Sequence, residues 1–323
     1  MPEDALSTVL SMLKPQAYAA GGLDLGGAWS LRFDAHDGIK CYACMAGAGW
    51  IIAEGEGNPV LLEAGDCVLL PNGLKFTLTK DPSLACMPFS NIPQNDWYGR
   101  IATVNGGGDT VMLAGHFSFS GAYTNDLLGV MPTIVRLRET SDKEGMRWLL
   151  QRMCTELRLL QPGNVLVTEH LAHLVLVQAL RLYIAQGAGR QTGWLFALAD
   201  QHLAAAIGAI HASPGERWTL PALAKQAGMS RSRFAARFKA VTGVSPIDYL
   251  IRWRMLLASQ RLSLGIDSVA AISASLGYES ESAFSTAFKR VIGCAPRTYG
   301  LRVRTQGDGE TTAPLRQEQP SSS

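Results

Sequence analysis

Between Trp218 and Tyr299 the chain states one pattern twice. The first copy runs Leu223-Ala224-Lys225-Gln226-Ala227-Gly228-Met229-Ser230, then Phe234, Phe238-Lys239, Gly243, Pro246 and Tyr249. The second runs Ile272-Ser273-Ala274-Ser275-Leu276-Gly277-Tyr278, then Phe284, Phe288-Lys289, Gly293, Pro296 and Tyr299. The later landmarks lie 50 residues apart and the earlier ones 49, so one extra residue sits between Gly277 and Phe284. A period of this length marks one supersecondary unit used twice. Both copies must then bury equivalent faces, which excludes most folds for this region.

Each copy reads as helix, tight turn, helix. Thr219 is placed to cap the first helix, with Pro221 tolerated in its first turn. Ala224 is small where two helices cross closely. Gly228 occupies the turn, where glycine adopts a positive φ without penalty, and Ser230 is placed to cap the next helix. Phe234 and Phe238, four residues apart, share the buried face. The opposite face carries Arg231, Ser232, Ala235, Ala236 and Lys239, flanked by Arg233 and Arg237. Small and cationic residues on an exposed helix suit a DNA major groove. In the second copy Asp267 or Ser268 caps the supporting helix, Gly277 makes the turn, and Glu279 or Ser280 caps the second helix. That helix exposes Glu281, Ser282, Ser285, Thr286 and Lys289, followed by Arg290. Ser245-Pro246-Ile247-Asp248 opens a connecting helix predicted to run to Leu262, roughly 25 Å long at 1.5 Å per residue. Such a spacer sets two reading helices about one DNA turn apart, roughly 34 Å.

Charge is distributed accordingly. Residues 1–213 hold 14 Lys and Arg against 19 Asp and Glu; residues 214–302 hold 13 against 5. A basic C-terminal region behind an acidic body is the footprint of a nucleic-acid binder.

The motifs Gly228-Met-Ser-Arg-Ser, Phe238-Lys, Gly243-Val-Ser-Pro-Ile-Asp-Tyr-Leu and Arg252-Trp-Arg-Met resemble the AraC family. So do Gly277-Tyr, Phe284, Phe288-Lys289-Arg290 and Gly293-Cys-Ala-Pro-Arg-Thr-Tyr. The resemblance implies a sequence-specific transcription regulator, often an activator working with RNA polymerase, with an effector or dimerisation domain ahead of the DNA-binding domain. Ala236 stands where the family often has a long polar or basic side chain. Base readout by the first unit then falls to Arg231, Ser232 and Arg233, or to DNA shape.

Upstream, Ile39–Met45, Trp50–Ala53, Val60–Leu62, Cys67–Leu70 and Phe76–Thr79 are short runs separated by turn residues, the pattern of a β-sandwich or barrel. Gly65-x5-Pro71-x-Gly73-x2-Phe76 resembles the second cupin motif with Phe76 in place of its metal-binding His. Cys41-Tyr42-Ala43-Cys44 stands where the first motif's His-x-His would fall. The resemblance implies a cupin without its metal. From Ser141 to His211 apolar residues recur at helical spacing, including Met146, Leu150, Met153, Leu157, Leu171 and Val175, with a third helix predicted from Leu195 to His211. The predicted class is α+β in two domains. Residues 1–140 form a jelly-roll, 141–213 a helical coupling segment, 214–302 an all-α DNA-binding domain with two helix-turn-helix units, and 303–323 a disordered tail rich in polar residues.

Weaker local signals have plainer readings. Cys41 and Cys44, three apart in a strand, point to opposite faces and lack a second pair, against zinc or redox chemistry. Asn105-Gly106-Gly107-Gly108-Asp109 fits a hairpin turn better than a phosphate loop. His170 and His173 share a helix face without a third ligand. Trp29, Phe33, Tyr42 and Trp50 read as core. No catalytic set, metal site or cofactor is expected, and the ligand-binding residues are not identifiable from sequence. The start Met-Pro-Glu-Asp is acidic where a secretory segment is basic, the scattered cysteines fit a reducing cytoplasm, and Leu171–Ala185 is too polar and short to span a membrane. The expected partners are double-stranded DNA, a small-molecule effector, RNA polymerase and a second copy of the chain. Two alternative readings of the same sequence are a cupin enzyme with a helical appendage and a dimeric regulator without ligand.

Overall fold

The computed structural model describes residues 4–13, 15–56, 58–119, 131–137, 143–187 and 193–310. They divide into two compact units, one within Leu13–Asp200 and one built from Gln201 onward with the first residues of the chain. The segment read as a coupling element, 141–213, is therefore divided between them.

The first unit is two facing sheets. Strands β1 (Pro15–Leu25), β3 (Ile39–Ala46), β6 (Cys67–Leu70), β9 (Ile101–Val104), β10 (Thr110–Phe119) and β11 (Val135–Leu137) form one, in the order β11-β6-β3-β10-β1-β9. Strands β2 (Ser30–Phe33), β4 (Ala48–Ala53), β5 (Val60–Glu63), β7 (Phe76–Thr79) and β8 (Met87–Pro88) form the other, in the order β5-β4-β7-β2-β8. Trp29, Leu31, Phe33, Tyr42, Ile51, Leu62, Val68, Leu78 and Met112 fill the space between them. Phe76 is 2% exposed and stacks on Phe33 with centroids 4.5 Å apart, so the motif's metal-ligand position is spent on core packing.

Two-residue alternation gives β3 two different faces. Tyr42 and Cys44 enter the core between the sheets. After the short helices α1 (Ala5–Leu13) and α2 (Gln94–Trp97) come α3 (Lys143–Leu159) and α4 (Asn164–Gly187). Cys41 and Ala43 turn outward, where with Leu113 and Phe117 they meet Leu150 and Met153 of α3 and Ala172 and Val175 of α4. The Cys41 and Cys67 sulfurs lie 3.4 Å apart on that outer face, with Cys44 on the other. Helix α4 has 24 residues, longer than the apolar stretch expected from sequence and long enough to cross a bilayer. Leu171, Val175, Leu176, Ala179 and Tyr183 are buried within this unit, and Glu169, His170 and Arg181 interrupt the helix's apolar surface.

The turn Asn105–Asp109 does not close a hairpin. It carries the chain across the end of β1, because β9 pairs with β1 in parallel and β10 pairs with β1 antiparallel. Its glycines cradle an internal anion: the Gly108 N–H donates to Asp24 Oδ1 at 2.7 Å, and Asp109 Oδ2 accepts from the Gly27 N–H at 2.9 Å. The chain's own carboxylate occupies what a phosphate loop would offer.

The helix expected from Leu195 to His211 is two: α5 (Trp194–Ala197) in the first unit and α6 (Gln201–Ala212) in the second. Leu203, Ala206, Ile207 and Ile210 of α6 are buried, and α6 packs on α7 (Leu220–Gln226). Then follow α8 (Arg231–Thr242), α9 (Pro246–Leu264), α10 (Val269–Ser275), α11 (Glu281–Ile292) and α12 (Pro296–Glu310). The tail expected to be disordered from residue 303 is helical to Glu310. Pro296 and Tyr299 are buried at the start of α12, and Arg304 lies across Gly265, so the helix propagates from a packed first turn. Residues 311–323 of that tail lie outside the described residues.

Candidate DNA interface

The repeat is a repeat in space. In the first copy Phe234 meets Phe238 with ring centroids 5.5 Å apart, and Phe238 meets Tyr249 at 5.6 Å. In the second, Phe284 meets Phe288 at 5.7 Å and Phe288 meets Tyr299 at 5.7 Å. All four phenylalanines are fully buried. Each removes about 1.5–3 kcal/mol worth of apolar surface from water and fixes which face of α8 and α11 is left outside.

Helix boundaries follow side-chain chemistry. Thr219 Oγ1 accepts from the Ala222 N–H, Ser245 Oγ from Asp248, Ser268 Oγ from Ala271 and Ser280 Oγ from Ala283, at 3.1 to 3.3 Å. Ser268 and Ser280, rather than Asp267 and Glu279, thus make the caps in the second copy. Ser230 departs from expectation: it sits at the N-cap in extended conformation, but its side chain makes no capping hydrogen bond. Asp267 instead receives the Arg261 guanidinium at 2.8 Å, and Glu279 receives Arg217 at 2.6 Å.

Gly228 and Gly277 make the two turns with φ of +60° and +75°. They are not equivalent. A Cβ on Gly228 would find only His202 Nδ1 at 3.9 Å, whereas one on Gly277 would strike the Gly215 carbonyl oxygen at 2.1 Å.

Outside, Arg231, Ser232, Arg233, Ala236 and Lys239 of α8 are exposed and Ala235 is half-buried. On α11, Ser282, Thr286, Lys289 and Arg290 are exposed and Glu281 and Ser285 are half-buried. The two faces differ in charge: α8 carries arginines in its first turn, while α11 carries its cations in its last. Glu281 at the start of α11 holds Arg297 at 3.4 Å.

Helix α9 joins the two helix-turn-helix copies as a 19-residue rod, about 28 Å long and two residues longer than expected. Arg254, to which the Arg252-Trp-Arg-Met motif assigns no individual role, anchors it. Its Nε donates to Pro214 O at 2.7 Å and its Nη2 to Glu216 O at 2.9 Å, and its guanidinium lies 5.5 Å from the Tyr278 ring centre. One side chain thus ties the entry to the first copy to the turn of the second. His211 of α6 stacks on Trp253 at 3.6 Å, and its Nε2 lies 2.9 Å from the Tyr249 hydroxyl. Burial pushes the His211 pKa down to about 3, so the ring is neutral. Nothing in an isolated Arg or His distinguishes such a buried anchor from a surface charge.

Comparison with known proteins agrees with this architecture. The helix-turn-helix family model matches residues 223–302, and the cupin family model matches residues 4–185. A putative AraC-like transcription regulator of Streptomyces lividans is 38% identical over 92% of this chain and 97% of its own length. A second, from Streptomyces antibioticus, is 38% identical over 92% of this chain and 98% of its own.

The chain belongs to the AraC family.

It is a DNA-binding transcription regulator with an N-terminal cupin domain and a C-terminal helix-turn-helix domain. Among solved structures, the DNA-binding domain of AdpA in complex with target DNA is 30% identical to this AraC-family chain, covering 33% of it and 96% of that domain, with a TM-score of 0.32. The cupin match extends through α3 and α4, so in sequence terms these helices belong with the barrel. Among the described residues no group of three or more His, Cys, Asp or Glu is placed to hold a metal ion.

Proposed function

We propose that α8 and α11 enter successive major grooves and that α8 supplies most of the electrostatic grip. The observation that carries this reading is the matched aromatic packing of the two copies, which leaves the same face of each second helix outside. Arg231 and Arg233 make phosphate or base-edge contacts at the start of α8, with Ser232, Ala235 and Ala236 close to the bases and Lys239 on the backbone. On α11, Ser282, Ser285 and Thr286 approach base edges while Lys289 and Arg290 reach phosphates. Glu281 serves chiefly to hold Arg297, since a carboxylate facing phosphate is repelled. The test is an electrophoretic mobility shift at fixed salt with R231A/R233A. Affinity is expected to fall roughly ten- to a hundredfold; unchanged affinity removes these residues from the interface.

The same reading assigns the cupin domain to control, by a small molecule, by pairing with a second copy, or by both. The protein acts in the cytoplasm, chiefly as an activator, and meets RNA polymerase at the promoter. The family resemblance supports these assignments, and the exposed Leu166, Val167 and Leu174, on one side of α4, offer an apolar surface for pairing. An enzyme role finds no support in this arrangement, because the cupin motif's metal-ligand position is a packed phenylalanine.

A further inference from the structure

At one end of the barrel, between the sheets, lies a cavity of about 180 Å³. Its walls are Phe33, Tyr42, Phe89 and Trp97, and its polar groups include Lys40 and His116. Lys40 belongs to the inward face of β3, the face of Tyr42 and Cys44, and is paired across the sheet with His116 of β10. Its ammonium sits 5.4 Å from the ring centres of both Phe33 and Phe76. No Asp or Glu lines the cavity, and among the described residues no carboxylate lies within ion-pair distance of Lys40. The nearest acid acting on it is Asp34, which is exposed.

This is a costly arrangement for a cation. Desolvation by burial pulls the Lys40 ammonium down to about 8, so at neutral pH it remains protonated, with no carboxylate paired to it among the described residues. His116 does not compensate. Its Nε2–H donates to the Asp37 carbonyl at 2.6 Å, and burial lowers its pKa, so the ring is neutral. A half-buried charge flanked by aromatic faces beside an open volume is what an anionic ligand would complete. The volume matches about six water molecules, which limits the ligand to single-ring size.

We propose that this cavity binds a small carboxylate with an aromatic body, its carboxylate on Lys40 and its ring among Phe33, Phe89 and Trp97. The proposal rests on reading the cupin domain as an effector domain, and it adds the ligand's chemistry and the residue that recognises it.

Titration calorimetry on the full chain tests it with benzoate, its neutral isostere benzamide and the cation benzylamine. Benzoate is expected to bind, with the other two roughly ten- to a hundredfold weaker. Acetate, which lacks the ring, is expected to bind weakly as well. K40M is expected to fold with equal or higher Tm and lose the preference for benzoate, while K40R retains it. Equal binding of benzoate and benzamide, no benzoate binding, or full benzoate affinity in K40M each overturn the proposal. The ligand comparison on the unaltered chain decides the matter should K40M fail to fold. Mobility shifts with and without benzoate separate the two readings. Benzoate bound through Lys40 with DNA affinity unchanged keeps the site and removes the effector role. A neutral compound that alters DNA affinity, with no benzoate binding, keeps the effector role and removes the anion site.

Discussion

At the scale of single residues, two buried anchors carry sharp expectations. His211 is neutral in the folded chain, with its pKa pushed down to about 3, and titrates near 6.5 once unfolded. Between those values the unfolded state binds the extra proton, so stability rises with pH across that window. The contribution is complete above about 6.5 and is lost as pH falls toward the folded value. Melting curves at about pH 7 and pH 5 should show the parent losing about 2 kcal/mol more than H211Q; identical losses would mean that His211 titrates normally. His36, depressed to about 4 by burial, titrates in the same window and remains in both proteins, so the difference isolates His211. Arg254 makes a second case. R254M leaves the Pro214 and Glu216 carbonyls without their donor and should cost about 2–4 kcal/mol in denaturant unfolding. A loss within experimental error would show that water replaces the guanidinium.

At the scale of elements, the two turns look alike in sequence and differ in surroundings. G228A should cost about 1 kcal/mol, the ordinary penalty for a side chain at positive φ. G277A should cost about 3 kcal/mol or more, since its methyl also meets the Gly215 carbonyl. Urea unfolding of the two variants compares them directly, and equal losses would remove the steric argument. That difference marks the limit of the sequence reading. Caps, turns and paired phenylalanines are local, so they could be read from spacing; the approach of Gly215 to Gly277 joins segments 62 residues apart and could not. The short strands were also legible, because Ile39–Met45 and Phe76–Thr79 alternate or cluster cleanly between turn residues. The crossover at Asn105–Asp109 was not, because a glycine turn looks the same whether the strands beyond it pair or straddle a third. Site residues on α8 and α11 followed from helical periodicity. Lys40 carried no sequence signal at all: its role depends on Phe33 of the preceding strand, Phe76 of the distant β7, and Phe89 and Trp97 of short helical turns coming together around it.

For the molecule as a whole, the division of charge between an acidic N-terminal part and a basic C-terminal one makes DNA affinity a matter of ionic strength. Binding should fall steeply with salt, and R231A/R233A should flatten the slope of log affinity against log salt by about 2. An unaltered slope would place both arginines away from phosphate. Strand β3 matters beyond its own residues, because it is a partition wall. The ammonium at one position hangs into the chamber, the sulfur at the next is roofed by helices, and no other ordering of those residues serves both rooms. Point changes along it alter one room at a time. Losing or gaining a single residue there would turn the wall inside out, delivering a charge and the Cys44 thiol to the helical roof and the Cys41 thiol to the chamber. New specificities can therefore arise in this barrel by exchange of side chains, while its strand lengths stay as they are.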